Sequence, residues 1–130
     1  AAKLVRVTEE SFFEGLKYCV AGNYLSDVSH AIQVHLESNG FGVIRDYVGH
    51  GLGREMHEQP PVPNYGRPGR GPKLKKGMVL AIEPMVSAGS YAVKVLPDEW
   101  TAVTGDGSLA AHYENTVVIT DAEPLVITLL

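Results

Sequence analysis

Apolar positions along this chain follow two different rhythms. Phe12, Leu16, Cys19 and Val20 recur at the three- and four-residue spacing of one helical stripe. Thr8 stands before them as an N-cap candidate, with Glu9 and Glu10 in a first turn where the helix dipole favours anions, and Gly22 marks a stop. A second helix is predicted from Asp27 to Ser38, capped by Ser26, with Val28, Ile32 and Leu36 on its inner stripe and Asn39-Gly40 at its end. His30 and His35 fall on roughly opposite sides of that helix, which suits surface or interface positions and not a shared metal. After Gly40 the helical rhythm is lost. Phe41, Val43 and Tyr47 suggest a short strand, and the apolar run from Met78 to Val86 has the length of a buried one. Tyr91 to Val95, Trp100 to Val103, Leu109 to Thr120 and Leu125 to Leu130 read as further strands between Gly, Pro and Asp signals. The segment from Pro60 to Pro72 holds five prolines and three glycines and is predicted as loop. The expected fold class is α+β: two helices, then a mostly antiparallel sheet, in a single domain over residues 1–130.

Composition narrows the function classes. The 45% hydrophobic and 20% charged content over 130 residues is that of a globular domain able to bury a core. A net charge of −4 argues against a nucleic-acid or anionic-membrane binder. Arg67, Arg70, Lys73, Lys75 and Lys76 make one basic stretch, but its prolines and glycines offer few aromatics and no helix, so it reads as solvated surface. The single Cys19 cannot form an internal disulfide and lies on an apolar stripe, so it reads as core, and a reducing cytoplasm is the expected compartment. No signal peptide or membrane-length apolar run is present, and there is no initiator methionine. The expectation is a chain trimmed at its start, or one that begins inside something longer.

The candidate chemistry lies between the helices and the apolar strands. Gly49, Gly51 and Gly53 fall within five residues, each costing roughly 1 kcal/mol in a helix interior, so backbone there must turn or approach something closely. His50 sits among them and His57 follows seven positions later, flanked by Glu55 and Glu58. Two surface histidines in a glycine-rich loop would be the alternative. Glu83 and Glu114 stand in segments otherwise apolar or β-branched, and a carboxylate buried on a strand costs several kcal/mol unless paired, protonated or ligated. Either alone could be an edge residue or an arginine partner. Taken with His50, one nitrogen and two carboxylates that can bridge suit Mn, Fe, Co or Zn and not a thiolate site.

Three separated motifs carry a family resemblance. Tyr47-Val-Gly-His-Gly-Leu-Gly-Arg-Glu-Met-His-Glu-Gln-Pro60, Leu74-Lys-Lys-Gly-Met-Val-Leu-Ala-Ile-Glu-Pro-Met-Val86, and Trp100-Thr with Ser108-Leu-Ala-Ala-His-Tyr-Glu-Asn-Thr116, in that order, resemble the type I methionine aminopeptidases. The resemblance implies half of a pita-bread fold, the C-terminal half, with two divalent ions (Co, Mn, Fe or Zn) between the halves. It implies that His50, Glu83 and Glu114 are metal ligands, three of five. The other two, both aspartates, belong to strands that would precede the equivalent of Thr8. It further implies that Glu83 doubles as general base, that His57 contacts the scissile peptide and the developing oxyanion, and that Met56 and Trp100 border the pocket for the substrate's methionine side chain. The implied partners are the N-terminal methionine of peptides and nascent proteins and the missing N-terminal half, with no specific nucleic acid and no membrane. With three of five ligands the chain alone is expected to be inactive. Two rivals remain: a non-catalytic binding module on the same half-fold, which would take up no metal, and a relative specific for X-Pro peptides.

Overall fold

The computed structural model describes residues 2–44, 49–52, 58–87, 93–95, 102–104 and 110–129. Helix α1 spans Ala2–Leu16 and therefore begins six residues ahead of the predicted cap. The apolar stripe continues backwards through Leu4 and Val7, both buried, and their burial carries the helix past Thr8. Thr8 is an interior residue whose hydroxyl donates back to the Leu4 carbonyl at 2.6 Å, the bond that a β-hydroxyl makes within a helix when it is not needed as a cap. Cys19 lies just past the helix and is fully buried, as expected of a core residue, and desolvation pushes its thiol up to about 12. Helix α2 spans Leu25–Ser38 with Tyr24 at its N-cap position. The Asp27 carboxylate accepts the Tyr24 N–H at 2.8 Å, while Ser26, the predicted cap, bonds Arg70 through both backbone groups instead. Val28, Ile32 and Leu36 are fully buried, and Gly40 closes the helix at φ 82°, a left-handed conformation that glycine adopts without steric cost. His30 faces the Gly66 carbonyl at 2.8 Å and His35 faces Glu10 at 3.1 Å, both at contacts between segments.

Among the described residues ten short strands follow: β1 (Gly42–Val43), β2 (Gly49–Leu52), β3 (Glu58–Val62), β4 (Val79–Ile82), β5 (Met85–Ser87), β6 (Val93–Val95), β7 (Ala102–Thr104), β8 (Ala110–His112), β9 (Asn115–Val118) and β10 (Leu125–Val126). They form a five-stranded sheet in the order β10-β9-β4-β2-β3, a three-stranded sheet β1-β5-β8 and a β6-β7 pair, with every pairing antiparallel. The predicted Pro60–Pro72 loop thus loses Pro60, Pro61 and Val62 to β3. That strand is at the sheet edge, with one side free of a partner among the described residues, which is where a sheet tolerates residues without an N–H. The Met78–Val86 run divides into β4 and β5, and Leu109–Thr120 divides into β8 and β9. The segment after Leu125 is a two-residue strand followed by a 3-10 turn over Ile127–Leu129 and not one longer strand. Tyr47, Tyr91, Trp100 and Leu109 lie outside the described residues.

One apolar cluster ties the layers together. Phe12, Val28, Ile32 and Leu36 from the helices pack with Leu80, Ile82, Val86 and Val117 from the strands and with Ile119 just past β9. In β4 and β9 the register sets Leu80 opposite Val117 and Ile82 opposite Asn115, so that face turns toward the helices. Ala81 and Thr116 take the other face. The basic stretch Arg67, Arg70, Lys73, Lys75 and Lys76 is exposed, as expected of a solvated surface. Among the described residues no helix is long and apolar enough to cross a membrane.

Candidate functional site

Two neighbouring chain segments, from β4 to β5 and from β8 to β9, pass between the five-stranded and the three-stranded sheet, and the carboxylates sit on them. Strand β4 pairs with β9, with Ile82 opposite Asn115, and β5 pairs with β8, with Met85 opposite His112. The register is the same on both sides of the gap, so Glu83 falls opposite Glu114 and Pro84 opposite Tyr113. Proline has no N–H to give, and only half of the Pro84–Tyr113 exchange survives: the Tyr113 N–H donates to the Pro84 carbonyl at 3.1 Å. Pro84 is thus the local cause of the break in the apolar run, and it places Glu83 at the last position before the chain passes from one sheet to the next.

Sequence reasoning put both carboxylates on buried strands, and the structure corrects this. Glu83 is half-buried and Glu114 is exposed, each just outside a strand end. Their shared environment remains demanding. Like charges directly opposite on a ladder repel, and neither strand can slip without turning its apolar face to water. The two side chains resolve the conflict with a proton, through a hydrogen bond between them. Desolvation first, then the bond to Glu114 and its charge, raise the Glu83 pKa from 4.5 to about 8.

His50 belongs to β2, the other neighbour of β4, and its Cα is paired with that of Ala81, two residues before Glu83. The three sequence-predicted ligands thus come from three adjacent strands or their ends. His57, Met56 and Trp100 lie outside the described residues. The donors described are carboxylate oxygens, a set that fits a hard or borderline divalent ion and that a cation would serve in place of the shared proton. No cluster of three such ligating side chains occurs among the described residues.

Four further residues brace the carboxylates, and the chain pattern did not single them out. Asn64, fully buried, donates its amide N–H to the Glu83 carbonyl at 2.8 Å. On the other segment the Asn115 amide donates to the Tyr113 hydroxyl at 2.8 Å, and the Thr128 hydroxyl donates to Asn115 Oδ1 while accepting the Thr116 N–H at 3.0 Å. The Tyr113 ring packs against Phe12 and Phe13 at centroid distances of 5.4 and 6.2 Å. The residues on either side of Glu114 are thereby fixed to α1 and to the 3-10 turn. Tyr113 and Asn115 could have been found as the polar flanks of Glu114. Asn64 follows a proline in a loop and carries no such mark.

Known proteins resemble this chain in sequence and in fold. The chain is 67% identical over 129 residues to a methionine aminopeptidase of Clostridium acetobutylicum, covering 99% of this chain and 52% of that protein. It is 62% identical over 130 residues to a methionine aminopeptidase of Clostridium perfringens, again over 52% of the relative. The crystal structure of a methionine aminopeptidase from Thermotoga maritima superimposes with a TM-score of 0.95 at 57% identity, over 98% of this chain and 51% of that one. The chain spans about half the length of the relatives it matches, and its α+β architecture is that of half a pita-bread fold. Residues 1–121 match metallopeptidase family M24, and the chain belongs to that family.

Proposed function

We propose that this chain supplies the C-terminal half of a methionine aminopeptidase, which removes the N-terminal methionine from peptides and nascent proteins. The observation that carries the reading is the facing pair Glu83 and Glu114, set opposite each other by register where a cation would serve both carboxylates. Membership in a metallopeptidase family implies divalent metal. Here the proposal is two ions, of Co, Mn, Fe or Zn, held by His50, Glu83 and Glu114 together with two aspartates from the other half. Bound metal would polarise the scissile carbonyl and lower the pKa of water.

The chain's own residues then have separate tasks. Glu83, ionised once a cation takes the place of its proton, would accept a proton from the attacking water and pass it to the leaving amine. His57 donates a hydrogen bond to the oxygen that gains charge. Met56 and Trp100 border the pocket that receives the methionine side chain, and Glu114 faces Glu83 as the second carboxylate ligand.

Hydrolysis of Met-Ala-Ser with added Co or Mn tests the reading, using the chain alone and with its N-terminal half supplied. Turnover is expected only with both halves and is lost in Glu83→Gln. Robust turnover by the 130 residues alone would show the two aspartates to be dispensable. A binding module would instead take up no metal and tolerate Glu114→Ala, and cleavage of X-Pro in place of Met-Ala peptides would move the chain to the proline-specific relatives.

A further inference from the structure

We propose that Asn64 is a positioning residue for the metal centre, acting through the backbone of Glu83; the inference rests on the metallopeptidase reading above. Two observations carry it. The first is the bond itself: the Asn64 side chain, 0% exposed, gives its amide N–H to the Glu83 carbonyl at 2.8 Å. That carbonyl belongs to the peptide joining Glu83 to Pro84, where the ladder is interrupted and the next carbonyl accepts the Tyr113 N–H. A turn of this peptide re-aims the Glu83 Cα–Cβ bond, and with it the carboxylate. The amide of Asn64 supplies the bond that fixes the peptide on the side away from Tyr113.

The second observation is the other end of the same amide. Among the described residues Asn64 Oδ1 is buried without a hydrogen-bond partner. An orphaned buried acceptor is costly, and an apolar side chain of the same shape would fill the space without that cost. Packing alone therefore does not call for asparagine here, whereas a donor aimed at the Glu83 carbonyl does. Neighbours that orient metal ligands in this way typically change metal affinity 10–100-fold when removed.

The test measures Co binding by calorimetry and the Co ligand-field spectrum in the chain with its N-terminal half supplied. Asn64→Leu keeps the branched skeleton and deletes the donor, and Asn64→Ala deletes it without risk of overpacking. Either variant is expected to raise the Kd for Co by about 10–100-fold and to shift the ligand-field bands. Ser11→Ala serves as control, since it removes a buried side-chain bond within α1 and should lower stability while leaving the Kd and spectrum unchanged. An unaltered Kd and spectrum in a folded Asn64 variant overturns the proposal, and so does failure of both variants to fold, which would assign Asn64 to the scaffold. If the unsubstituted protein binds no Co at all, the metallopeptidase reading fails first.

Discussion

Glu83 and Glu114 meet because two backbones run in register, and their charges then set how the metal-free chain responds to pH. A carboxyl whose pKa is higher in the folded than in the unfolded state binds more protons when folded. Its contribution to stability is fully present below its unfolded value and is lost as pH rises through its folded value. For Glu83 that window runs from 4.5 to about 8. With chelator present, the urea midpoint is expected to fall as pH is raised across this window, and Glu83→Gln is expected to remove that part of the slope. A slope unchanged by the substitution would mean that the pair does not share a proton. Much of this was legible in the sequence: an acidic residue closing an apolar run before a proline already asked for a partner. What the pattern could not supply was the partner's identity, because Glu114 lies 31 positions away (114 − 83) and only the register of β4 with β9 and β5 with β8 sets it opposite. Asn64 was illegible for a related reason, since its burial follows from the sheet crossing and not from local pattern.

Among the elements, the helices were read well in type and poorly at their starts. Thr8 and Ser26 are good caps in isolation, but burial of Leu4 and Val7 extends α1 backwards and Arg70 claims Ser26 from across the fold. Helix pairing rests on a feature that propensity disfavours. Gly15 is in the last turn of α1 and faces α2, and a Cβ built there would lie 2.8 Å from Ile32 Cγ1 and 3.2 Å from Val28 Cγ1. Both neighbours are fully buried and have little room to yield. Replacing a helical glycine by alanine normally stabilises by up to roughly 1 kcal/mol. Here the overlap should win, and Gly15→Ala is expected to destabilise the chain by about 1–3 kcal/mol in chemical unfolding. A gain in stability would show that the helices can move apart without penalty. The strand misreadings share one cause: proline was taken as punctuation. In β3 it sits at an edge that tolerates it, and at position 84 it divides one apolar run between two sheets.

At the scale of the molecule, the two faces of the central strands have different fates. Leu80, Ile82 and Val117 are sealed by α1 and α2, while the carboxylates occupy the positions between, and the chain accounts for 52% of its relatives' length. If the metal centre is shared with a second half, cation binding and the joining of the halves are one linked equilibrium. A cation that binds only the joined state stabilises it by about 2.7 kcal/mol at a hundredfold excess over its Kd. For an assembly of the relatives' size this raises Tm by roughly 5–11 °C. Thermal unfolding with Mn or Co against chelator is therefore expected to show such a rise for the joined halves and a much smaller one for the chain alone, where only His50, Glu83 and Glu114 are offered. On the proposed metal centre, Glu114→Ala should shrink the rise, because it removes one of the two carboxylates offered by this chain. Equal shifts with and without the other half would place the whole centre within these 130 residues and remove the reason for a partner.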